Sequence, residues 1–411
     1  MWFAGIDWAD RHHDAAVVTG TGEVVGRLRV AHSAEGLEEL TAFLQQGCPE
    51  GEQVACVVET THGLLISALL EAGLLVCPVN PTTLMRWRPP SGAKSDAGDA
   101  LLLARAGRAT WPDLPVLQPD SPAVHELKLL TRDLEGRIVE QTRLVNQLTA
   151  CLKAYYPVAL ACFDGLTRHV ALAFLQTFPT LARARAATCE ELREALLQVR
   201  YPHAAEKATA LYHLLHQPQL EASAEVVRAK ARLALALVEQ LQVVVRQVAA
   251  YDQEIARLFL QHADQAVFAS LPGAGKRLAP RLLAEWGEDR RRYADAASVQ
   301  ALAGTAPVVF QSGAYRGVRR RRTCVNNLRQ ALYHFARESA LLEDWAKAYY
   351  RRKREQGKTR AMALRALANH WVRILYAMWL HATPYDPAIF AAARRAHSPD
   401  APAEPHAPVV A

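Results

Sequence analysis

The chain has 411 residues, a formal net charge of +7 and a sequence pI of about 9.1, with 51% apolar and 22% charged residues. That length and apolar content can fill more than one core, which excludes a wholly disordered chain. No charged leader followed by an apolar stretch opens it and no apolar run of 18 residues interrupts it, so the expectation is a cytoplasmic protein with no membrane partner.

Trp2 to Trp8, Asp14 to Thr19 and Glu23 to Val30 read as three short strands separated by polar or glycine turns, an antiparallel meander. Ser33 caps a helix to about Gln46, Gln53 to Glu59 makes a fourth strand, Leu64 to Ala72 a helix and Leu74 to Val79 a fifth strand. Pro81, Pro89 and Pro90 punctuate a loop before the helical pattern DAGDALLLARAGR begins at Asp96. Asp120-Ser121-Pro122 starts a helix on which Leu134, Ile138, Val145, Leu148, Leu152 and Tyr155 keep heptad spacing until Pro157. Leu237, Leu241, Val244, Val248, Tyr251, Ile255 and Leu258 repeat that spacing, so the two helices pair either within one chain or between chains. The residues after Pro384, rich in Ala, Pro and His, read as a flexible tail. The chain thus divides into an α/β domain over 1–115, a helical, coiled-coil region over 120–265, a mainly α C-terminal domain over 266–383 and a tail over 384–411.

Four carboxylates stand out against this order. Asp7 ends the apolar run Trp2 to Ile6, and Glu59 ends another, Val54 to Val58, so each sits where a buried strand meets solvent. Asp96 and Asp99 are three apart in a first helical turn and share one helix face. Singly, such acids are ordinary solvated residues favoured by the helix dipole. As a set they form a hard oxygen donor group suited to Mg²⁺, with Mn²⁺ the alternative, and paired ions of this kind serve phosphodiester chemistry. His12 and His13 lie near Asp7 and could touch the metal site, although an exposed turn is their plainer reading. The seven cysteines show no paired short spacing, which points to free thiols in a reducing compartment and not to zinc.

Charge is distributed unevenly. Residues 270–373 hold 22 Lys/Arg against 8 Asp/Glu, leaving the remainder of the chain net acidic. This is the footprint expected of a polyanion-binding domain, although a basic run by itself is more often just a solvated face. Its densest parts are Arg319, Arg320, Arg321 and Arg322, and Arg351, Arg352, Lys353 and Arg354, with Tyr315, Tyr349 and Tyr350 nearby for stacking. Arg316 and Arg329 extend the set. In Leu271-Pro-Gly-Ala-Gly-Lys276 the Walker spacing is missing, so nucleotide binding is rejected; Gly273, Gly275, Lys276 and Arg277 read instead either as a hairpin between helices whose backbone can approach a phosphate or, equally, as a plain helix-start turn. Phe310-Gln-Ser-Gly-Ala314 reads as a loop, and a Ser-Gly pair such as Ser312-Gly313 is by itself ordinarily a turn.

The order of strands and carboxylates resembles the RNase H-like fold of the RuvC type. More narrowly, GIDWAD, VVETTHGLL, VNPTTLMRW and AKSDAGDALLLA resemble the DEDD transposases of a bacterial insertion-sequence family related to the Piv DNA invertases, and LPGAGKRLAPRLLAEWG, ALAGTAPVVFQSGAYRG and NNLRQALYHFA are similar to that family's C-terminal transposase domain. The resemblance covers about half of the chain, in the family's order. It implies that Asp7, Glu59, Asp96 and Asp99 hold Mg²⁺ and that Ser312 is a nucleophile attacking a DNA phosphodiester, the carboxylate cluster completing its site. It further implies donor and target DNA and an element-encoded guide RNA as partners, and a homo-oligomer. The chain departs from the family in the Arg319 to Arg322 run and at Val325-Asn326, where glycine–asparagine is more usual. Two alternatives stand beside this reading: a RuvC-like nuclease that activates water and dispenses with Ser312, and a non-catalytic nucleic-acid-binding protein indifferent to loss of the carboxylates.

Overall fold

The computed structural model describes residues 1–49, 51–60, 63–79, 95–114, 116–118, 120–313, 315–322, 324–389 and 392. They form two compact units, Met1–Asp120 and the residues from Ser121 on. The expected loop at Pro81, Pro89 and Pro90 lies outside the described residues.

In the first unit, β1 (Trp2–Trp8), β2 (His12–Val18), β3 (Val24–Ala31), β4 (Val54–Val58) and β5 (Leu75–Pro78) make one five-stranded sheet in the order β3-β2-β1-β4-β5. The first three strands are an antiparallel meander; β4 and β5 run parallel to β1. Parallel neighbours need crossovers, and these are supplied by α1 (Ala34–Gln46), capped by Ser33 as expected, and α2 (Leu64–Glu71). α3 (Asp96–Thr110) covers the sheet's other face. Strand alternation separates the two cores: Ala4, Ile6, Cys56 and Val58 pack with Leu40, Leu44 and Leu69, whereas Phe3, Ala55 and Val57 pack with Leu103 and Ala104. The second strand begins at His12, two residues before the expected Asp14, because the hairpin register runs on to Trp8 opposite His13. His13 is therefore not in an exposed turn. It is 1% exposed and its Nε2 lies 2.8 Å from Nδ1 of His32.

The second unit is built on α4 (Pro122–Tyr155), with Ser121 as cap and Pro122 in the first turn. Shorter helices follow: α5 (His169–Thr177), α6 (Leu181–Arg185), α7 (Cys189–Gln198) and α8 (Ala204–His216). α9 (Ala224–Gln261) then packs along α4 within the same chain, so the heptad residues Leu237, Leu241, Val244, Val248, Ile255 and Leu258 are buried intramolecularly. One stretch of α9 is apolar enough to meet the length and composition of a membrane span. Its apolarity is accounted for in part by this seam, and Glu239, Arg246, Asp252 and Glu254 interrupt the helix.

The chain continues through α10 (Gln265–Ala269), α11 (Gly275–Trp286), α12 (Ala296–Leu302), an antiparallel ribbon of β6 (Pro307–Ser312) and β7 (Tyr315–Arg320), then α13 (Asn326–Leu342), α14 (Asp344–Glu355) and α15 (Arg360–Leu380). Trp286, Phe335, Trp371 and Trp379 join the same buried cluster as the α4–α9 seam. Most of the expected tail over 384–411 lies outside the described residues; its first part includes Tyr385. Tyr385 accepts a hydrogen bond from Trp345 Nε1 at 2.8 Å, and its backbone donates to Ser270 Oγ at 2.7 Å.

Candidate active site

Each acidic side chain reaches its position for an identifiable reason. Asp7 follows Phe3 and Gly5 on the face of β1 that looks at α3. Gly5 is what lets that helix lie so close: a Cβ there would collide with the Ala100 carbonyl and the Ala104 nitrogen. The approach carries Asp96 and Asp99, in the first turn of α3, towards the end of β1; Ser95 caps the turn by accepting from Gly98 N at 3.2 Å. Ile6 pairs with Val58 in the parallel β1–β4 ladder, so Glu59 leaves β4 beside Asp7.

The electrostatics register the convergence. The Asp7 carboxyl is pushed up to about 6, first by burial and then by the negative fields of Asp99, Asp96, Glu59 and Asp14. The four acids expected from the sequence are thus brought together, with a fifth, Asp14, which sequence reasoning passed over. Asp14 stands directly opposite Asp7 on β2, and Arg29 stands opposite Asp14 on β3, so the three form a row across the meander.

Arg29 neutralises part of this charge. Its Nε donates to Asp14 Oδ2 at 3.1 Å and its Nη2 to Asp96 Oδ2 at 3.2 Å, with His12 Nε2 2.7 Å from the same Nη2. His12 itself lies 3.2 Å from Asp96 Oδ2, which removes it from the exposed turn assigned by sequence. Donor atoms of His12, Asp14 and Asp96 all fall within 4.8 Å of one another. Crowded carboxylates at a strand end are hard donors that fit a divalent cation, and His12 adds a borderline nitrogen donor.

The other expected residues lie in the second unit. Gly273, between α10 and α11, and Gly275, the first residue of α11, have positive φ, +81° and +56°; a Cβ at Gly273 would press on Glu338. Lys276 and Arg277 occupy the first turn of α11, and Arg277 Nε donates to Asp252 at 2.7 Å. Ser312 is not in a loop but is the last residue of β6, paired with Tyr315, and Gly313 with φ +55° opens the turn. The β-branched Val308 and Val309 favour the strand over the expected loop. Arg316, Arg319 and Arg320 follow on β7, the Arg319 guanidinium 4.4 Å from the centre of the Phe310 ring. Arg321 and Arg322 lie just beyond the strand, and Arg329 in the first turn of α13. Arg351, Arg352, Lys353 and Arg354 lie on α14, Arg352 and Lys353 over the Tyr349 ring at 5.3 and 5.5 Å.

A central strand with acids at its end, flanked by an antiparallel meander on one side and parallel strands on the other, defines an RNase H-like domain of the DEDD type. A family model described as a transposase of the IS110 DEDD type matches residues 4–157, and a second, described as the transposase IS116/IS110/IS902 family, matches 265–351. The chain is 33% identical to the mini-circle putative transposase for IS117 of Streptomyces coelicolor over 91% of this chain and 92% of that protein. It is also 29% identical to the uncharacterized 42 kDa protein of insertion element IS900 of Mycobacterium paratuberculosis, over 96% and 99% of the two chains. The protein belongs to the IS110/IS116 family of insertion-sequence transposases, enzymes that act on DNA.

Proposed function

We propose that this transposase exchanges DNA strands through a phosphoserine intermediate in a magnesium-dependent reaction, guided by an RNA encoded by its element. The observation that carries the metal-dependent part is the convergence of Asp96, Asp99, Glu59 and Asp14 on a half-buried Asp7. Asp7, Glu59, Asp96 and Asp99 would hold the ion, and Asp14 and His12, whose donor atoms cluster with Asp96, could add to the set. When bound, the ion offsets charge on the phosphodiester oxygens.

The protein's own part is nucleophilic. The Ser312 Oγ forms a bond to phosphorus as the bond from phosphorus to a deoxyribose oxygen breaks, and that oxygen takes up a proton. The reverse attack by a hydroxyl of the partner strand restores the serine, so no phosphodiester bond energy is lost to water. Support for Ser312 is the similarity of residues 265–351 to the family's C-terminal region, together with the basic balance of residues 270–373. Gly273, Gly275, Lys276, Arg277 and the arginine runs hold the nucleic acid by its backbone, which leaves sequence choice to base pairing with the guide. Joining two ends at once requires a homo-oligomer.

The test is covalent trapping. Wild type, Ser312→Ala and Asp96→Ala, co-expressed with the DNA flanking the gene, are incubated with labelled junction DNA and Mg²⁺ and resolved on a denaturing gel. A protein–DNA adduct lost in both variants is expected. Cleavage that survives Ser312→Ala but not Asp96→Ala would establish instead a RuvC-like nuclease, and DNA binding without any cleavage a non-catalytic binding protein.

A further inference from the structure

Residues 296–337 contain no aspartate or glutamate and seven arginines. Three segments of the second unit supply basic groups here, two of them helices packed together. β7 ends at Arg320, α13 starts at Asn326 with Arg329 in its first turn, and α15, which carries Arg365, packs along α13. Arg365 belongs to neither basic run.

Arg320, Arg329 and Arg365 have no carboxylate partner among the described residues. Burial, then the positive fields of Arg320 and Arg329, hold the Arg365 guanidinium below the ordinary arginine range. The Arg321 Nε is buried without a hydrogen-bond acceptor among the described residues. The turn that presents these groups is pinned: Val325 N donates to Leu302 O at 2.8 Å, and Arg329 Nη1 lies 3.1 Å from Cys324 Sγ. Cys324 in turn sits against Gly304, whose φ is +62°. Val325, at the start of the 17-residue α13, provides no side-chain cap for the first-turn amides. Clustered guanidiniums without counter-charge oppose folding, and the group that relieves them must be an anion. Tetrahedral phosphate oxygens match both the guanidinium fork and a helix N-terminus.

We infer that Arg320, Arg329 and Arg365, with the uncapped start of α13, form a binding site for a backbone phosphodiester of nucleic acid. The inference rests on the proposed reading of a nucleic-acid substrate but not on the serine chemistry, and it stands if Ser312 forms no adduct. Arg365 is the residue that separates this site from a generally basic surface.

The experiment uses the full chain as wild type, Arg365→Met, Arg329→Gln and, for comparison, Arg246→Met on the exposed side of α9. Thermal unfolding is followed in sodium phosphate and in sodium chloride of equal ionic strength, and affinity for a labelled duplex is measured across a salt series. Phosphate should raise the wild-type midpoint above that in chloride, and this rise should vanish in Arg365→Met and Arg329→Gln. Arg365→Met should be at least as stable as wild type in chloride, because a repelled charge has gone. Each site variant should bind the duplex roughly tenfold more weakly at low salt, with its log–log salt slope reduced by about one. Arg246→Met should match wild type throughout. Site variants that unfold earlier in chloride yet keep the phosphate response and salt slope would show a packing role and overturn the inference. A lost phosphate response with an unchanged slope would mean a small-anion site, which overturns it equally.

Discussion

Asp14 and Arg29 face each other across β2 and β3, and the arginine Nε lies 3.1 Å from the Asp14 carboxylate, which is only 8% exposed. The same guanidinium reaches Asp96, so a side chain from the outer strand of the meander balances two acids of the candidate metal site. Replacing it with an isosteric apolar chain, Arg29→Met, should therefore have opposite effects with and without metal. The metal-free protein should lose roughly 1 kcal/mol or more, since a nearly buried carboxylate loses its partner. Divalent ions should bind more tightly, because a competing cation has gone. Calorimetric titration with Mn²⁺ beside thermal unfolding checks both; weaker Mn²⁺ binding would instead make Arg29 a support for the ligands.

Asp7 dictates a pH dependence. Its carboxyl is held at about 6 in the fold against an ordinary value of 3.8 in the unfolded chain, chiefly by burial and then by the neighbouring acids. Between these two values the folded protein binds more protons than the unfolded one, so the metal-free protein loses stability as pH rises through this window. At neutral pH the cost should be about 1 kcal/mol, because Asp7 is partly exposed and solvent screens the repulsion. Asp7→Asn should remove this slope and raise the metal-free unfolding midpoint at pH 7.5. Saturating Mg²⁺ should stabilise wild type at pH 7.5 more than at pH 5.5, where protons compete for the same oxygens. Equal midpoint shifts at the two pH values would contradict the assignment.

Most of the first unit was legible because its signals are local. Apolar runs, Ser33 and the proline-bounded start of α4 mark elements without reference to the rest of the chain. Asp7 and Glu59 could be found because each interrupts hydrophobicity at a strand end. Asp14 and Arg29 carry no such mark, and their role comes from pairing across strands. A register drawn from the Asp10–Arg11 turn would have placed Asp14 opposite Asp7, and one drawn from the next turn would have placed Arg29 beside it. His12 was misjudged for the same reason. In the second unit, heptads on α4 and α9 were visible, but pairing within one chain follows from the helices between them, which carry no repeating signal. Arg365 escaped notice because it stands apart from both basic runs, on a helix whose other arginines, Arg360 and Arg373, are also isolated in sequence.

Gly5 should tolerate no side chain. In Gly5→Ala the added methyl meets backbone atoms of Ala100 and Ala104, which cannot rotate away as a side chain would. The helix must shift, at a cost of about 1–3 kcal/mol. Because α3 also carries Asp96 and Asp99, the stabilisation by Mg²⁺ should fall along with the stability. Urea unfolding with and without the ion separates the two effects. A variant that is destabilised yet keeps the full Mg²⁺ increment would show that the carboxylates are placed independently of this contact.

In the second unit, α4 and α11 are locked by two ion pairs of opposite order. Arg132 donates to both carboxylate oxygens of Glu285 at 2.7 and 2.9 Å, and Arg281 donates to Glu135 at 2.5 Å. The Glu285 side chain is 1% exposed. Arg132→Met would strand that charge in a dry interface, where the loss of one partner costs about 3–5 kcal/mol. Adding Glu285→Leu should recover most of this, because the burial penalty disappears together with the charge. A double variant as unstable as Arg132→Met alone would show that Arg132 supports the helix through its other contacts. Recovery would identify the pair as a device that fixes the register between the two helices and adds little net stability.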